Sequence, residues 1–433
     1  MKKIILFLAL ILITSYSCAF AIVDITKVSI KDAVEIATKT NLDIQASRLN
    51  INIEKNNIKS ANRLQNPEIG SFFNMGKAGK GNPQEIGLAQ TIEIGKRHSR
   101  KNLAKANLEL VQRNVEYLEF DLRMDVREAY TNLLAKKSVL TTLKEQEVLL
   151  TGMLKQAEEM HKKGKVSQID VLQAQLLINQ IITEVQASGY EVKTALYEFN
   201  KVINSPENFY DTLEESFTAD YKPLLIPKVD AILPEFDDIA DEAINNRYDI
   251  KIALQQIDVA EKELLVVMRK KIPDIELVGG YSYQNHSQSE NGQFKHGAFV
   301  GANLVNIPLF YKYSPEIKNA KLKLDQAHLN YASVENKALN DLRRAYEKFL
   351  IAQMTLKNYK EHLLIDSEDL IKASRQSYKE YKTDLTTLIT MEESYRMISV
   401  NYTYALANYY NAWNAFIREV NNEQFTVNSV DNV

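Results

Sequence analysis

The chain has 433 residues, 45% of them hydrophobic and 25% charged, with a formal net charge of -3. A mean hydropathy of -0.29 is too polar for a bundle of membrane-spanning helices, and so balanced a charge gives no basic footprint for nucleic acid. A single Cys excludes a disulfide framework and a Cys-based zinc site.

Residues 1–21 read as a secretory signal peptide. Lys2 and Lys3 form a positive n-region, Ile4 to Ile13 is an unbroken apolar run, and Ala19-Phe20-Ala21 supplies the small-x-small cleavage pattern. The rival reading is cleavage before a lipid-modified Cys18, but Ser15-Tyr16-Ser17 lacks the aliphatic residue such a site carries. Cleavage after Ala21 predicts an exported chain without Cys and with a net charge of -5. No later stretch approaches the roughly 20 apolar residues of a spanning helix.

From 22 to 204 the pattern predicts helix, strand, strand, long helix, turn, helix. The first helix is expected over about 29–66. Strands follow over about 68–75 and 85–94, joined by a loop from Gly76 to Pro83 that is dense in helix and strand breakers. In the second strand Ile86, Leu88, Ile92 and Ile94 share one face, interrupted by Gln90, while Glu85, Gly87, Ala89, Thr91 and Glu93 take the other. A long helix is expected over about 97–162. Proline inside a helix costs about 3 kcal/mol, and none occurs between Gln84 and Ser205. Apolar residues there recur at coiled-coil spacing, as in Leu118, Leu122, Val126, Ala129 and Leu133. At 1.5 Å per residue such a helix is about 95–100 Å long. Gly164 ends the pattern. Ser167 then offers a helix N-cap with Asp170 three residues on, and a further helix is expected over about 167–203.

Residues 205–235, with Pro206, Pro223, Pro227 and Pro234, read as a linker. The pattern then returns over 236–420, followed by a tail at 421–433. Asn41-Leu42-Asp43-Ile44 and Arg247-Tyr248-Asp249-Ile250 lie 206 residues apart, as do Pro67 and Pro273. Asp125 to Tyr130 matches Asp341 to Tyr346 at an offset of 216, and Gly164 to Ser167 matches Tyr381 to Asp384 at 217. The chain is therefore read as a tandem duplication of one unit of roughly 200 residues, far longer than a solenoid repeat. The second unit predicts strands over about 275–284 and 298–309, a long helix over about 316–378 and a helix over about 384–420. Its strand loop, His286 to Lys295, contains Asn291-Gly292, and Tyr281, Tyr283, Phe299 and Phe310 are candidates for an interfacial aromatic girdle. Asp384 takes the place of Ser167 and Thr387 that of Asp170.

Strands of about 9–11 residues are what a tilted barrel strand needs to cross a bilayer. Four strands cannot close, and open edges cannot face lipid, so several chains must pool their strands.

These residues resemble the TolC-like outer-membrane efflux proteins. The resemblance rests on the signal peptide, the duplicated helix-strand-strand-helix-helix unit and the stretch Gly164-Lys165-Val166-Ser167-Gln168-Ile169-Asp170-Val171-Leu172-Gln173-Ala174-Gln175. Gln90-Thr91-Ile92-Glu93-Ile94-Gly95-Lys96-Arg97 is similar to the cobalt–zinc–cadmium resistance branch. The resemblance implies a mainly α fold with a small transmembrane β part: a homotrimer with a 12-stranded β-barrel in the outer membrane and a trimeric α-barrel in the periplasm. Segment 205–235 and the tail after Val420 would form its equatorial region. It implies no cofactor and no catalysis. Its implied partners are outer-membrane lipid, a periplasmic adaptor (membrane fusion) protein and an inner-membrane pump of the resistance-nodulation-division or ABC type, with nucleic acid excluded. The turns carrying Gly164, Lys165 and Ser167, and Tyr381, Lys382 and Asp384, would dock the adaptor. The family narrows its periplasmic tip with acidic residues in the second unit, where this chain has Thr387 and Thr390; the first unit offers Asp170 and Gln173. Asp170 thus has two readings, a cap or a carboxylate lining the pore, where a ring of three would favour cations.

Other chemistries find no support. None of His98, His161, His286, His296, His328 and His362 has an i,i+4 partner, and neither HExxH, a Gly-rich phosphate loop nor GxSxG occurs. Tyr402, Tyr404, Tyr409, Tyr410 and Trp413 in the last helix read as packing. The reading is a passive exit duct; the alternative is a periplasmic coiled-coil adaptor or scaffold, which usually carries one hairpin per chain and more Gly.

Overall fold

A computed structural model describes residues 28–73, 83–204, 213, 217, 221, 226–284, 296–380 and 382–425. The expected signal peptide with Cys18, both strand loops, most of the linker, Tyr381 and the end of the tail lie outside the described residues. The chain forms two compact units, each built from both halves of the sequence. The first comprises 1–43, 122–230 and 351–414, and the second 44–121, 231–350 and 415–433.

The single helix expected over 29–66 is two helices, α1 (Ile30–Thr40) and α2 (Leu42–Ala61). Asn41 breaks them with φ -58 and ψ 124. Its side-chain amide donates to the carbonyls of Val202 (3.1 Å) and Ile203 (3.2 Å), and its Oδ1 accepts from the Asp43 N–H at 2.9 Å. An Asn side chain competes with helical hydrogen bonds in this way. The second copy makes the same break with a different residue. Arg247, at φ -56 and ψ 128, separates α5 (Phe236–Asn246) from α6 (Tyr248–Arg269). Its guanidinium reaches the carbonyl of Glu419 at 3.2 Å, the counterpart of Val202 at the 217 offset. It also pairs with the carboxylates of Asp249 and Glu419. The tyrosine pair repeats too: Tyr130 Oη donates to the carbonyl of Val28 at 2.9 Å, and Tyr346 Oη to that of Pro234 at 3.2 Å.

The long helix α3 runs Lys96–Lys162 without a break, followed by α4 (Gln168–Ile203). Its counterpart expected over 316–378 is interrupted. It comprises α7 (Ser314–Asn358), one π turn (Tyr359–Leu363) and α8 (Leu364–Lys379), and α9 (Leu385–Val420) completes the copy. The cause lies in the repeat arithmetic. Tyr130 and Tyr346 are 216 residues apart, whereas the equivalent turn bonds Lys165 N–H to Met160 O and Lys382 N–H to Ser377 O (both 2.9 Å) are 217 apart. The second copy has gained one residue in between, and a π turn is how a helix absorbs one residue without losing its axis.

The first unit is cored by Trp413, Tyr130, Phe199, Leu133 and Ile181, and the second by Phe120, Phe349, Phe416, Ile239 and Leu342, all essentially buried. The expected packing role of Trp413, Tyr409 and Tyr410 agrees with this burial.

In the second unit the strands β1 (Glu68–Phe73), β2 (Pro83–Ile92), β3 (Asp274–Gln284) and β4 (His296–Val305) form one antiparallel sheet in the order β1-β2-β3-β4. β2 ends at Ile92, two residues earlier than its alternation suggested, because Glu93 turns to the Arg100 guanidinium and Gly95 adopts φ +71. The register Ile69↔Leu88↔Gly279↔Val300 fixes the faces, since directly paired residues point the same way. One face carries Ile69, Ile86, Leu88, Ile92, Ile275, Leu277, Tyr281, Tyr283, Val300 and Leu304, with Ser71, Gln84 and Gln90 among its polar members. Most of its large side chains are solvent-exposed, Val300 to 90%. The opposite face carries Glu68, Glu85, Thr91, Glu276, Ser282 and Asn303, linked across strands by Ser282–Glu85 (3.4 Å) and Asn303–Glu276 (3.2 Å). Of the expected girdle, Tyr281 and Tyr283 lie on the apolar face. Phe299 is on the polar face, and Phe310 lies beyond the strand.

Phe299 has a specific task. Its ring covers the cross-strand pair Gly87–Gly280, where a Cβ on Gly280 would lie 2.3 Å from the Ile86 carbonyl oxygen, 2.7 Å from Gly87 Cα and 2.7 Å from Phe299 Cζ. Two of those obstacles are backbone, so the strands would have to part. Gly280→Ala is expected to cost at least the ~1–3 kcal/mol of an overpacked site and to abolish the assembled species in outer-membrane fractions. Gly301→Ala, with open space around it, should leave the wild-type amount of that species in the same fractions.

Candidate functional site

The two turns that join the long helices to their return helices lie in the first unit. α3 ends at Lys162, and Gly164 takes φ +70, a left-handed conformation that costs glycine nothing. No atom lies within 4 Å of a Cβ built there, so the backbone and not crowding selects glycine. Lys165 N–H returns to the Met160 carbonyl, and Gly164 N–H bonds that of His161 at 2.8 Å, a Schellman-type ending. The restart is a complete capping box. Asp170 N–H donates to Ser167 Oγ at 3.2 Å, and Asp170 Oδ2 accepts from Ser167 N–H and Oγ, both at 2.8 Å. Asp170 therefore caps α4 with one carboxylate oxygen.

The second turn reproduces the first with other side chains. Lys382 N–H returns to Ser377 O, and Lys382 Nζ pairs with Glu380 at 2.6 Å. Asp384 Oδ1 accepts from Thr387 N–H at 3.3 Å. The Thr387 hydroxyl, with its amide, holds the Asp384 carboxyl below its ordinary range.

Met160, Tyr378, Leu385 and Leu388 pack with Ala157, Ala174 and Ile371 in one apolar cluster beneath the turns. Above it is a cleft of about 620 Å³, and Gly164, Lys165, Ser167, Asp170, Lys382 and Asp384 all line it. Gln173, Thr387 and Thr390 are not part of it. Gln173 Oε1 accepts from the Thr386 hydroxyl at 2.8 Å, and the Thr390 hydroxyl turns back to the Thr386 carbonyl at 3.0 Å.

Three ties were not anticipated from the sequence. Arg375 grips Glu392 with both carboxylate oxygens, at 2.6 and 2.8 Å, and the Glu392 side chain is only 1% exposed. Arg396 pairs with Glu184 at 2.9 Å, and Lys136 with Glu191 at 2.9 Å, Lys136 lying over the Tyr404 ring. Arg375 and Glu392 are 17 residues apart on antiparallel helices, a spacing that becomes legible only once the turn is placed.

Sequence comparison matches residues 33–201 and 239–388 to the outer membrane efflux protein family. The chain belongs to that family. As a member of the outer membrane efflux protein family it is an outer-membrane efflux channel, with its sheet in the membrane and its helices in the periplasm. A curated relative, nodulation protein T of Rhizobium leguminosarum bv. trifolii, is 20% identical over 381 residues, covering 85% of this chain and 79% of that protein. Among solved structures, a membrane protein from Pseudomonas aeruginosa aligns with a TM-score of 0.74 at 14% identity, covering 90% of this chain and 93% of the other. The Campylobacter jejuni CmeC outer membrane channel aligns with a TM-score of 0.71 at 14% identity, covering 90% and 85%. These structures share the fold. Among the described residues no helix is long and apolar enough to cross a membrane. The sheet with its apolar face is the element fitted to do so.

Two substitutions separate the cap from the buried pair. Ser167→Ala should lower stability by about 0.5–2 kcal/mol, read as a shift in the denaturation midpoint of the helical circular dichroism signal. Arg375→Met strands a buried carboxylate and should cost about 3 kcal/mol in the same measurement, the low end for such a loss because Arg375 is partly exposed.

Proposed function

We propose that three copies of this chain pool their sheets into one twelve-stranded barrel and form a passive duct, whose helical turns dock a periplasmic adaptor of an inner-membrane pump. The observation that carries this reading is the sheet: one apolar face, one polar face and two strands, β1 and β4, each with an unpaired edge. In lipid those edges must be paired, and identical copies supply the pairing with β4 antiparallel to the next β1. The expected division into a signal peptide ending at Ala21, two repeats, the segment 205–235 and a tail from 421 is part of the same proposal.

The cleft between the turns suits docking. Its lining includes Lys165, Lys382, Asp170 and Asp384, and on α4 Ile169, Leu172 and Leu176 are 66%, 59% and 70% exposed. A helical hairpin with complementary charge and an apolar ridge fits such a surface. In the pore, Asp170 is the only carboxylate among the constriction candidates, and Gln173, Thr387 and Thr390 add neutral polar groups. No site on the described residues supplies energy, so cargo selection and drive belong to the pump.

The decisive experiment is gel migration of outer-membrane fractions with and without heating. A heat-sensitive oligomer of three chains supports the reading, and a soluble periplasmic monomer would overturn it. In planar bilayers Asp170→Asn should reduce single-channel cation selectivity if the free carboxylate oxygen faces the pore. Unchanged selectivity would leave Asp170 a cap alone.

A further inference from the structure

The four segments flanking the sheet at its helix-bearing end carry an uneven share of charge. Residues 54–66, 93–105, 262–274 and 307–321 hold fifteen Lys and Arg against five Asp and Glu, a net +10 in a chain whose total is -3. The register pairs Ile92 with Ile275 and Asp274 with Val305, so β2, β3 and β4 meet these segments at one end of the sheet. The acids there are mostly engaged internally. Glu93 is held by Arg100 (2.6 Å), Asp274 by Lys96 (2.7 Å), and Glu263 by Lys323 (2.6 Å). Arg97, Arg269, Lys271 and Lys312 are exposed and make no salt bridge among the described residues. They sit three to seven residues beyond the strand ends. Beside Lys312, Leu309, Phe310 and Tyr311 are 71%, 101% and 53% exposed, an apolar cluster that water does not favour.

We infer that Arg97, Arg269, Lys271 and Lys312 form a basic collar that binds the phosphodiester headgroups of acidic phospholipids in the leaflet at the sheet's helix-bearing end. The inference rests on the reading of the sheet as membrane-embedded. Continuity argues for a lipid surface: the apolar sheet face runs into the collar, as acyl chains run into headgroups, and Phe310 and Tyr311 occupy the boundary where aromatic side chains settle. Cations without an ion-pair partner among the described residues, held at that height, would meet phosphate oxygens as their nearest anions. The engaged acids serve the same end, because each neutralised carboxylate removes a repulsion for the headgroup.

The test uses the full-length oligomer reconstituted into phosphatidylcholine vesicles containing traces of spin-labelled phosphatidylglycerol or spin-labelled phosphatidylcholine. The fraction of each label immobilised by protein gives their relative association. Phosphatidylglycerol should be preferred about fivefold or more, the effect of a single basic residue near an anionic surface, and the preference should fall toward one in high salt. The combined variant Arg97→Gln, Arg269→Gln, Lys271→Gln and Lys312→Gln should lose the preference while still immobilising phosphatidylcholine. Immobilisation of both labels without preference overturns the collar and leaves the membrane reading standing. Immobilisation of neither overturns both. Loss of preference in inorganic phosphate, but not in chloride of equal ionic strength, would mean a discrete phosphate site and overturn the lipid assignment. If the variant does not assemble, the wild-type salt titration decides, and a salt-insensitive preference counts against the collar.

Discussion

Backbone hydrogen bonding in a medium without water is the constraint on which this molecule turns. An amide left unpaired in hydrocarbon costs several kcal/mol, and β1 and β4 each present a row of them. Nothing in the described chain covers either edge. The alternation of side chains says which face suits lipid, and the open edges are what the proposed assembly of several chains would pair. In the proposed assembly the conduit follows from this bonding requirement, with the polar face of Glu85, Thr91, Glu276 and Asn303 left to line what the closed sheet would enclose.

The duplicated halves reach the same local geometry by different chemistry. Asn41 and Arg247 both break a helix and both bond a carbonyl at the end of a return helix, one with a neutral amide and the other with a guanidinium that also gathers two carboxylates. Asn204 and Asn421 both end those return helices at positive φ, 47 and 56. Ser167 and Asp384 both accept from a backbone amide three residues on. Geometry recurs where the bonding problem is the same, and side-chain identity is free wherever another donor or acceptor solves it.

Much of this was legible in the sequence because it depends on local periodicity. The two strand pairs, the unbroken α3, the Gly164 ending and the Ser167–Asp170 box follow from spacing and breakers within a few residues. The break at Asn41 was missed because its cause is a carbonyl some 160 residues away, whereas the helical pattern on both sides continues through it. The face of Phe299 was misjudged because an aromatic was read as girdle, when a cross-strand glycine pair that only the register reveals was what it covers. The Arg375–Glu392 pair was invisible for a similar reason: each looks like any surface charge until the hairpin brings them together and excludes water. Sequence pattern locates elements, and the ties between elements need the fold.

The π turn at Tyr359–Leu363 takes up the one-residue difference between the two copies. The second copy carries one residue more than the first in the middle of a long helix, where a plain insertion would rotate every later side chain by about 100°. Widening a single loop of the helix confined the damage, so the Ser377 and Lys382 bond still mirrors that of Met160 and Lys165. On both sides of the π turn the helix keeps the geometry of its counterpart, so this one loop is where the hairpin takes up a difference in length.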